Sequence, residues 1–372
     1  MSAAKAPSLT LRQKRQATLL GHWMSEEHLR QLRSLIDDLI RGADVTLDVA
    51  ANQGRDALIA DARWGVRDTA ANWSTFVYPA LEDFRKATVR DLARRAIEVY
   101  EFTGATQCAR MIDEFSSLWM TEDEERRFKA SFDVVFQHAQ LIDFAAGVGG
   151  SRHQLNDWSM SLYWQRFGDL FPRLPKFQVR TDTEGVTGKR PPRTGVYVAQ
   201  DDPLATLQFA WTGSDDGALG DAQTLNDIGR RAVAAVGDDA MWIDGWKTSS
   251  WATGAFARGE LTDRQGFDVG DERDPRWVGA IIHPSLAAQR ATRWYFVEPI
   301  AGESDDEQTG DAEQSAGTVR ERCAAGDPCP REGYWSTPAR IDSRRHFSRG
   351  EIMPNIGGDY GATIWQRDEF QA

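Results

Sequence analysis

The side chains able to do chemistry are scattered along this chain rather than gathered in motifs. Its six histidines are His22, His28, His138, His153, His283 and His346. The nearest two, His22 and His28, are six residues apart on different expected elements, which is not a metal-ligand spacing. Cys323, Cys329 and His346 are zinc-ligand types, but a structural site needs a fourth and no further Cys or His stands near. A disulfide across Cys323-Ala-Ala-Gly-Asp-Pro-Cys329 is sterically possible. Three cysteines in a chain of this length suit a reducing compartment better, with these two as loop thiols and Cys108 as core. Paired carboxylates stand at Asp201-Asp202, Asp215-Asp216 and Asp305-Asp306. Such pairs can bind a metal or work as acid and base, yet they form turns far more often.

Glycine-rich segments fail their tests as well. Gly185-Val186-Thr187-Gly188-Lys189 resembles a phosphate-loop fragment, but Thr183 and Arg190 occupy positions that need glycine and a hydroxyl residue. Ala145 to Gly150 follows a helical pattern, whereas a dinucleotide site needs a preceding strand. There is no His-Glu-x-x-His and no Gly-x-Ser-x-Gly. Arg344 and Arg345 could grip a carboxylate or phosphate; a salt bridge to the acidic body of the chain is the plainer expectation. No cofactor is expected.

The elements that would position these groups divide the chain. Ser25 caps a helix over 26–41, whose stripe is Leu29, Leu32, Leu35, Ile36, Leu39 and Ile40, with Gly42 placed to end it. Further helices are predicted over 81–102, around Cys108 to Trp119, after a capping box at Thr121 and Glu124, and over 155–171. His138 lies on the fourth of these stripes and reads as a packed core residue. From Phe177 on, period-two patterns and turns take over. Strands are predicted at 195–199, 205–211, 240–243, 277–282 and 292–297, a helix at 222–236 and another near 246–256, with 181–193 as a loop. The fold class is therefore α+β: a helical bundle-like unit over 1–176, then a small antiparallel-sheet unit over 177–300. An acidic linker or loop follows at 301–319, carrying Glu303, Asp305, Asp306, Glu307, Asp311 and Glu313. A β-rich tail over 320–372 is expected to pack on the α+β unit.

Length and charge narrow the function. The chain has 372 residues and a net charge of −12, which repels nucleic acid and anionic membranes and favours basic partners. No signal-peptide core and no run of apolar residues long enough to span a bilayer is present, so a cytoplasmic location is expected. Fourteen tryptophans would supply interface anchors if exposed.

Several segments carry a resemblance. Arg193-Thr194-Gly195-Val196-Tyr197-Val198, Asp201-Asp202-Pro203 and Leu207 to Gly213 (LQFAWTG) look like a recurring segment of immunity proteins encoded beside bacterial polymorphic toxins. In the tail, Cys329 to Trp335 (CPREGYW), Ser343 to Phe347 (SRRHF), Gly350 to Pro354 (GEIMP) and Asp359 to Gln366 (DYGATIWQ) are similar to the same group. The resemblance spans about Leu155 to the C-terminus. It implies a protein with no catalytic residues that neutralises one cognate toxin, of the Rhs or type VI secreted kind, by occluding its active site. The candidate contact residues are Asp215 and Asp216 on their turn and Glu303, Asp305, Asp306, Glu307 and Asp311 on the acidic stretch, facing a basic toxin surface. The competing expectations are a hydrolase using turn carboxylates such as Asp201 or Asp215, which requires a deep pocket and raised pKa values, and an effector-loading chaperone or adaptor.

Overall fold

A computed structural model describes residues 8–59, 65–147, 157–261, 282–305, 322–337, 344–355 and 363–367. The chain divides into two compact units, Met1–Ser304 and Asp305–Ala372. The fold is α+β: helices dominate the first half and a four-stranded antiparallel sheet follows.

The helices are α1 (Leu11–Trp23), α2 (Glu26–Asn52), α3 (Arg55–Ile59), α4 (Ala70–Arg95), α5 (Ala105–Glu114), α6 (Glu122–Ala146) and α7 (Asp157–Phe167). Local chemistry sets their starts. The Thr10 hydroxyl accepts from Gln13 N while Gln13 reaches back to Thr10 N, a closed capping box. Ser25 caps α2 through His28 N, and Thr121 with Glu124 closes a second box on α6. The expected end of α2 at Gly42 is not observed: the helix runs through it to Asn52. The apolar stripe continues at Ala43, Leu47 and Ala50, and packing of that stripe outweighs the roughly 1 kcal/mol cost of a mid-helix glycine. Helix α4 begins at Ala70, eleven residues before the expected start, carries Pro79 within it and stops at Arg95. Helix α5 stops at Glu114, so Leu118 and Trp119 lie in the following turn. The first core gathers α2, α4, α5 and α6 around Leu32, Ile36, Trp73, Val77, Leu81, Trp119, Val135 and Ile142. Burying each such side chain contributes about 1.5–3 kcal/mol.

The sheet runs in the order β1 (Leu174–Val186), β6 (Arg293–Asp305), β2 (Gly195–Ala199), β3 (Gln208–Ala210). Alternation along β2 and β6 sends side chains to two cores. Val196, Val198 and Val297 meet α1, α6 and α7 on one face, while Tyr197, Trp294 and Phe296 meet Leu219 and Ala205 on the other. Three expectations change here. Residues 181–186 are strand rather than loop, because β1 continues beside β6. Residues 222–225 form β4 (Ala222–Leu225), paired with β5 (Ala287–Arg290), so the helix expected from 222 begins at Asp227, capped by Asn226. Ala240 to Ile243, expected as a strand, lies in α9 (Asp238–Ile243), packed between α8 (Asp227–Val236) and α10 (Gly245–Ala257). The strand expected at 277–282 lies outside the described residues except for Ile282, which is buried.

The second unit is a four-stranded antiparallel sheet ordered β7 (Arg322–Ala324), β10 (Ile364–Arg367), β8 (Gly333–Ser336), β9 (Arg345–Phe347). Cys323, Cys329, Trp335, Phe347, Met353 and Trp365 form its core. Both buried indole N–H groups are satisfied, Trp335 by Arg331 O at 3.1 Å and Trp365 by Pro354 O at 2.9 Å.

Candidate protein-interaction surface

Asp215 and Asp216 sit on a 3₁₀ turn, Asp215–Gly217, after β3. The turn is held from several sides. Trp211 Nε1 donates to Ser214 Oγ at 2.9 Å, and Trp211 N donates to Gly217 O at 3.1 Å. A Cβ at Gly217 would stand 2.2 Å from Trp211 O, so only glycine allows this approach. The preceding Gly213 donates its N–H to Glu98 O at 3.0 Å, and a Cβ there would meet that carbonyl and Ile97 O at 2.4 Å. Glu98, in turn, has a positive φ of 57°. The acidic turn is thereby seated on the chain reversal after α4, beside Ile97, which is 67% exposed. Asp215 is exposed and ion-paired with Arg190 at 2.6 Å, and that hydrogen bond lowers its pKa.

Of the acidic stretch, Glu303 and Asp305 belong to the end of β6 rather than to a linker. Strand pairing carries the backbone on past Pro299, and Glu303 meets Lys176 at 2.7 Å. Asp306, Glu307 and Asp311 lie outside the described residues.

The other expected chemistry resolves into structural roles. Asp202 is buried, accepts from Thr224 Oγ1 at 2.7 Å and Leu204 N at 3.0 Å, and lies between Arg230 at 2.9 Å and Arg290 at 3.2 Å. Burial alone would raise its pKa, but these donors outweigh it and hold the carboxyl below its usual range. Asp202 and Asp215 are thus shifted in the direction opposite to the one a raised-pKa acid catalyst needs. Cys323 and Cys329 are buried thiols, Cys323 on β7 and Cys329 in the loop between β7 and β8, and His346 turns toward Tyr334 and Glu332. Arg344 stacks over Tyr334 at 4.1 Å and Arg345 over Phe347 at 4.4 Å. Among the described residues, no group of three or more His, Cys, Asp or Glu side chains is arranged to hold a metal ion, and no helix is long and apolar enough to cross a membrane.

The tryptophans expected as interface anchors go mostly inward. Trp23, Trp73, Trp119, Trp294, Trp335 and Trp365 are fully buried. Among the described residues Trp246 stands out, 63% exposed at the start of α10, with Ile243 44% exposed at the end of α9. Asp238, Asp239 and Asp244 surround this apolar pair in sequence, with Asp239 52% and Asp244 32% exposed. The Asp244 side chain caps α10 by accepting from Lys247 N at 3.1 Å, which fixes the backbone carrying Trp246. Sequence reasoning passed over Trp246; the signal was an indole directly after Asp244-Gly245, off the apolar stripe that α10 buries through Thr248, Ala252 and Ala255.

Comparison with protein-family models, curated proteins and solved structures finds no match to this chain.

Proposed function

We propose that this chain is an immunity protein, a non-enzymatic binder that neutralises a cognate secreted toxin with a basic surface by covering its active site. The observation that carries the reading is the exposed, backbone-anchored Trp246 with Ile243 beside three aspartates. A large aromatic left in water at a fixed position has the composition of a binding hot spot, and the three aspartates that flank it in sequence are ion-paired with Arg12, Arg15 and Lys247. The rigid Asp215–Asp216 turn and the net charge of −12 add acidic surface suited to a basic partner. The reading also rests on the resemblance of the 193–213 and tail segments to immunity proteins. Occlusion of the active site and a cytoplasmic site of action belong to the same proposal. The lowered pKa of Asp215, held down by its hydrogen bond from Arg190, speaks against the hydrolase alternative at that residue.

The test is co-expression of the neighbouring gene's product in a sensitive bacterium, with and without this chain, followed by isolation of any complex. Rescue with a stable complex is expected, and Trp246→Ala should weaken that complex by at least about 30-fold, the loss typical of an aromatic hot spot. Toxicity without rescue would overturn the reading. Binding to a non-toxic part of the partner, with no protection from its toxic domain, would identify a loading chaperone instead.

A further inference from the structure

Three imidazoles that lie far apart in sequence meet at the elbow between α1 and α2. His28 and His138 stack with ring centroids 3.7 Å apart and planes 17° from parallel. His22 meets His28 edge-on at 4.9 Å, and Phe171 closes over His22 at 5.2 Å. His28 is 4% exposed, and neither of its ring nitrogens has a hydrogen-bond partner among the described residues. His138 Nε2 bonds to the backbone carbonyl of His28 at 2.9 Å, so as a donor it ties α6 to the first turn of α2. The elbow is where the all-helical core meets the helix–sheet core. Rings stacked face to face, with one nitrogen already on a carbonyl, are poorly placed to share a metal ion.

We propose that this stack is an acid-sensitive joint: proton uptake by His28 separates the first turn of α2 from α6 and opens the α1–α2 elbow. The reason is steric and electrostatic. An imidazolium at His28 would be buried, unsolvated, pressed against a second imidazole and close to Arg95. Arg95 cannot retreat, since it donates to Met24 O and Ser25 O at 2.7 Å each. Burial, then His138 and His22, push the His28 pKa down to about 3. His22 and His138 are lowered by burial too, with Glu27 partly offsetting this at His22. Opening the joint exposes His28 to water and restores its ordinary pKa near 6.5, so acid drives the open form.

Glu26 and Glu27 lie on α2, Asp91 and Arg95 on α4, Asp143 on α6, and Tyr100 follows α4. Burial raises Asp91 and Asp143 to about 6. Those two take up protons in the folded form as pH falls through 6, which stabilises it and opposes the histidines. The joint is therefore read by difference between variants, where the carboxylates cancel.

The experiment compares the full chain with His28→Phe, which keeps an aromatic ring against His138 but cannot ionise. Backbone hydrogen exchange at Leu29 and Leu32 is followed at pH 7 and pH 5, corrected for intrinsic rates. The opening constant of the wild type should rise about 20-fold more than that of the variant, the factor set by a group of pKa near 6.5 when open and neutral when closed. Parallel changes in both proteins would overturn the proposal. So would a fall in global stability with no local change at the elbow. If the variant does not fold, ring-carbon NMR of the wild type decides. A His28 imidazole that stays neutral down to pH 5 while elbow exchange accelerates supports the joint, and one that titrates near 6.5 in the folded protein refutes it.

Discussion

Asp202 shows how one side chain can organise a corner of the molecule. It holds the turn before β3 to β4, to α8 through Arg230 and to the end of β5 through Arg290. Asp202→Ala should lower stability by about 1–3 kcal/mol. The loss is limited because both arginines are near 40% exposed and can turn to water. Since the folded pKa is depressed, the contribution is present in full above the usual aspartate value. It is lost as pH falls through the lowered one, so urea midpoints of wild type and variant should converge in acid. The pairing of Asp201 and Asp202 was plain in the sequence, but its meaning was not. The two arginines come from 28 and 88 residues further on, and only their arrival turns a turn former into a buried anion. His28 and His138 were illegible for the same reason: the partners lie 110 residues apart, and neither segment carries a motif. Trp246 was hidden because exposure is decided by what the rest of α10 buries.

At the level of elements, starts were easier to read than ends. The caps at Ser25 and at Thr121 with Glu124 are local, so residue types three apart suffice to find them. Gly42 misled because its cost is small beside the stripe that carries α2 onward. With nothing within 4 Å of a Cβ built there, Gly42→Ala should stabilise the protein by about 0.5–1 kcal/mol, measured by thermal or urea unfolding. Gly213 predicts the opposite. Its close approach to Glu98 O and Ile97 O leaves no room for a methyl group, so Gly213→Ala should cost about 1–3 kcal/mol. It should also disturb the seat of the Asp215–Asp216 turn, visible as altered amide shifts from 97 to 99. Short segments such as Ala240 to Ile243 have no period long enough to separate helix from strand, and packing between α8 and α10 decides for helix.

At the level of the whole molecule, the α+β class was readable because the change from helical to alternating patterns near Phe177 is long and one-directional. Membership of the cores was less so: one face of the sheet shares a core with α1, α6 and α7, while the other packs on Ala205 and Leu219 from the connecting segments. The net charge of −12 makes a kinetic prediction under the proposed function. Association with a basic partner should slow at least several-fold between low and physiological salt while dissociation changes little, as stopped-flow measurements would read. A salt-independent association rate would remove charge from the account of binding.

The contacts of α1 bear on how the molecule is made. Arg12 and Gln13 both donate to Pro203 O, and Gln16 Oε1 accepts from Leu207 N. Each bond spans about 190 residues, so α1 leaves the ribosome long before its partners exist. At roughly 5–20 residues per second, the wait is about 10–40 s. In a nascent chain stalled before residue 203, α1 can already pack on α2, α6 and α7, but the hydrogen bonds that fix Arg12, Gln13 and Gln16 are still to be made.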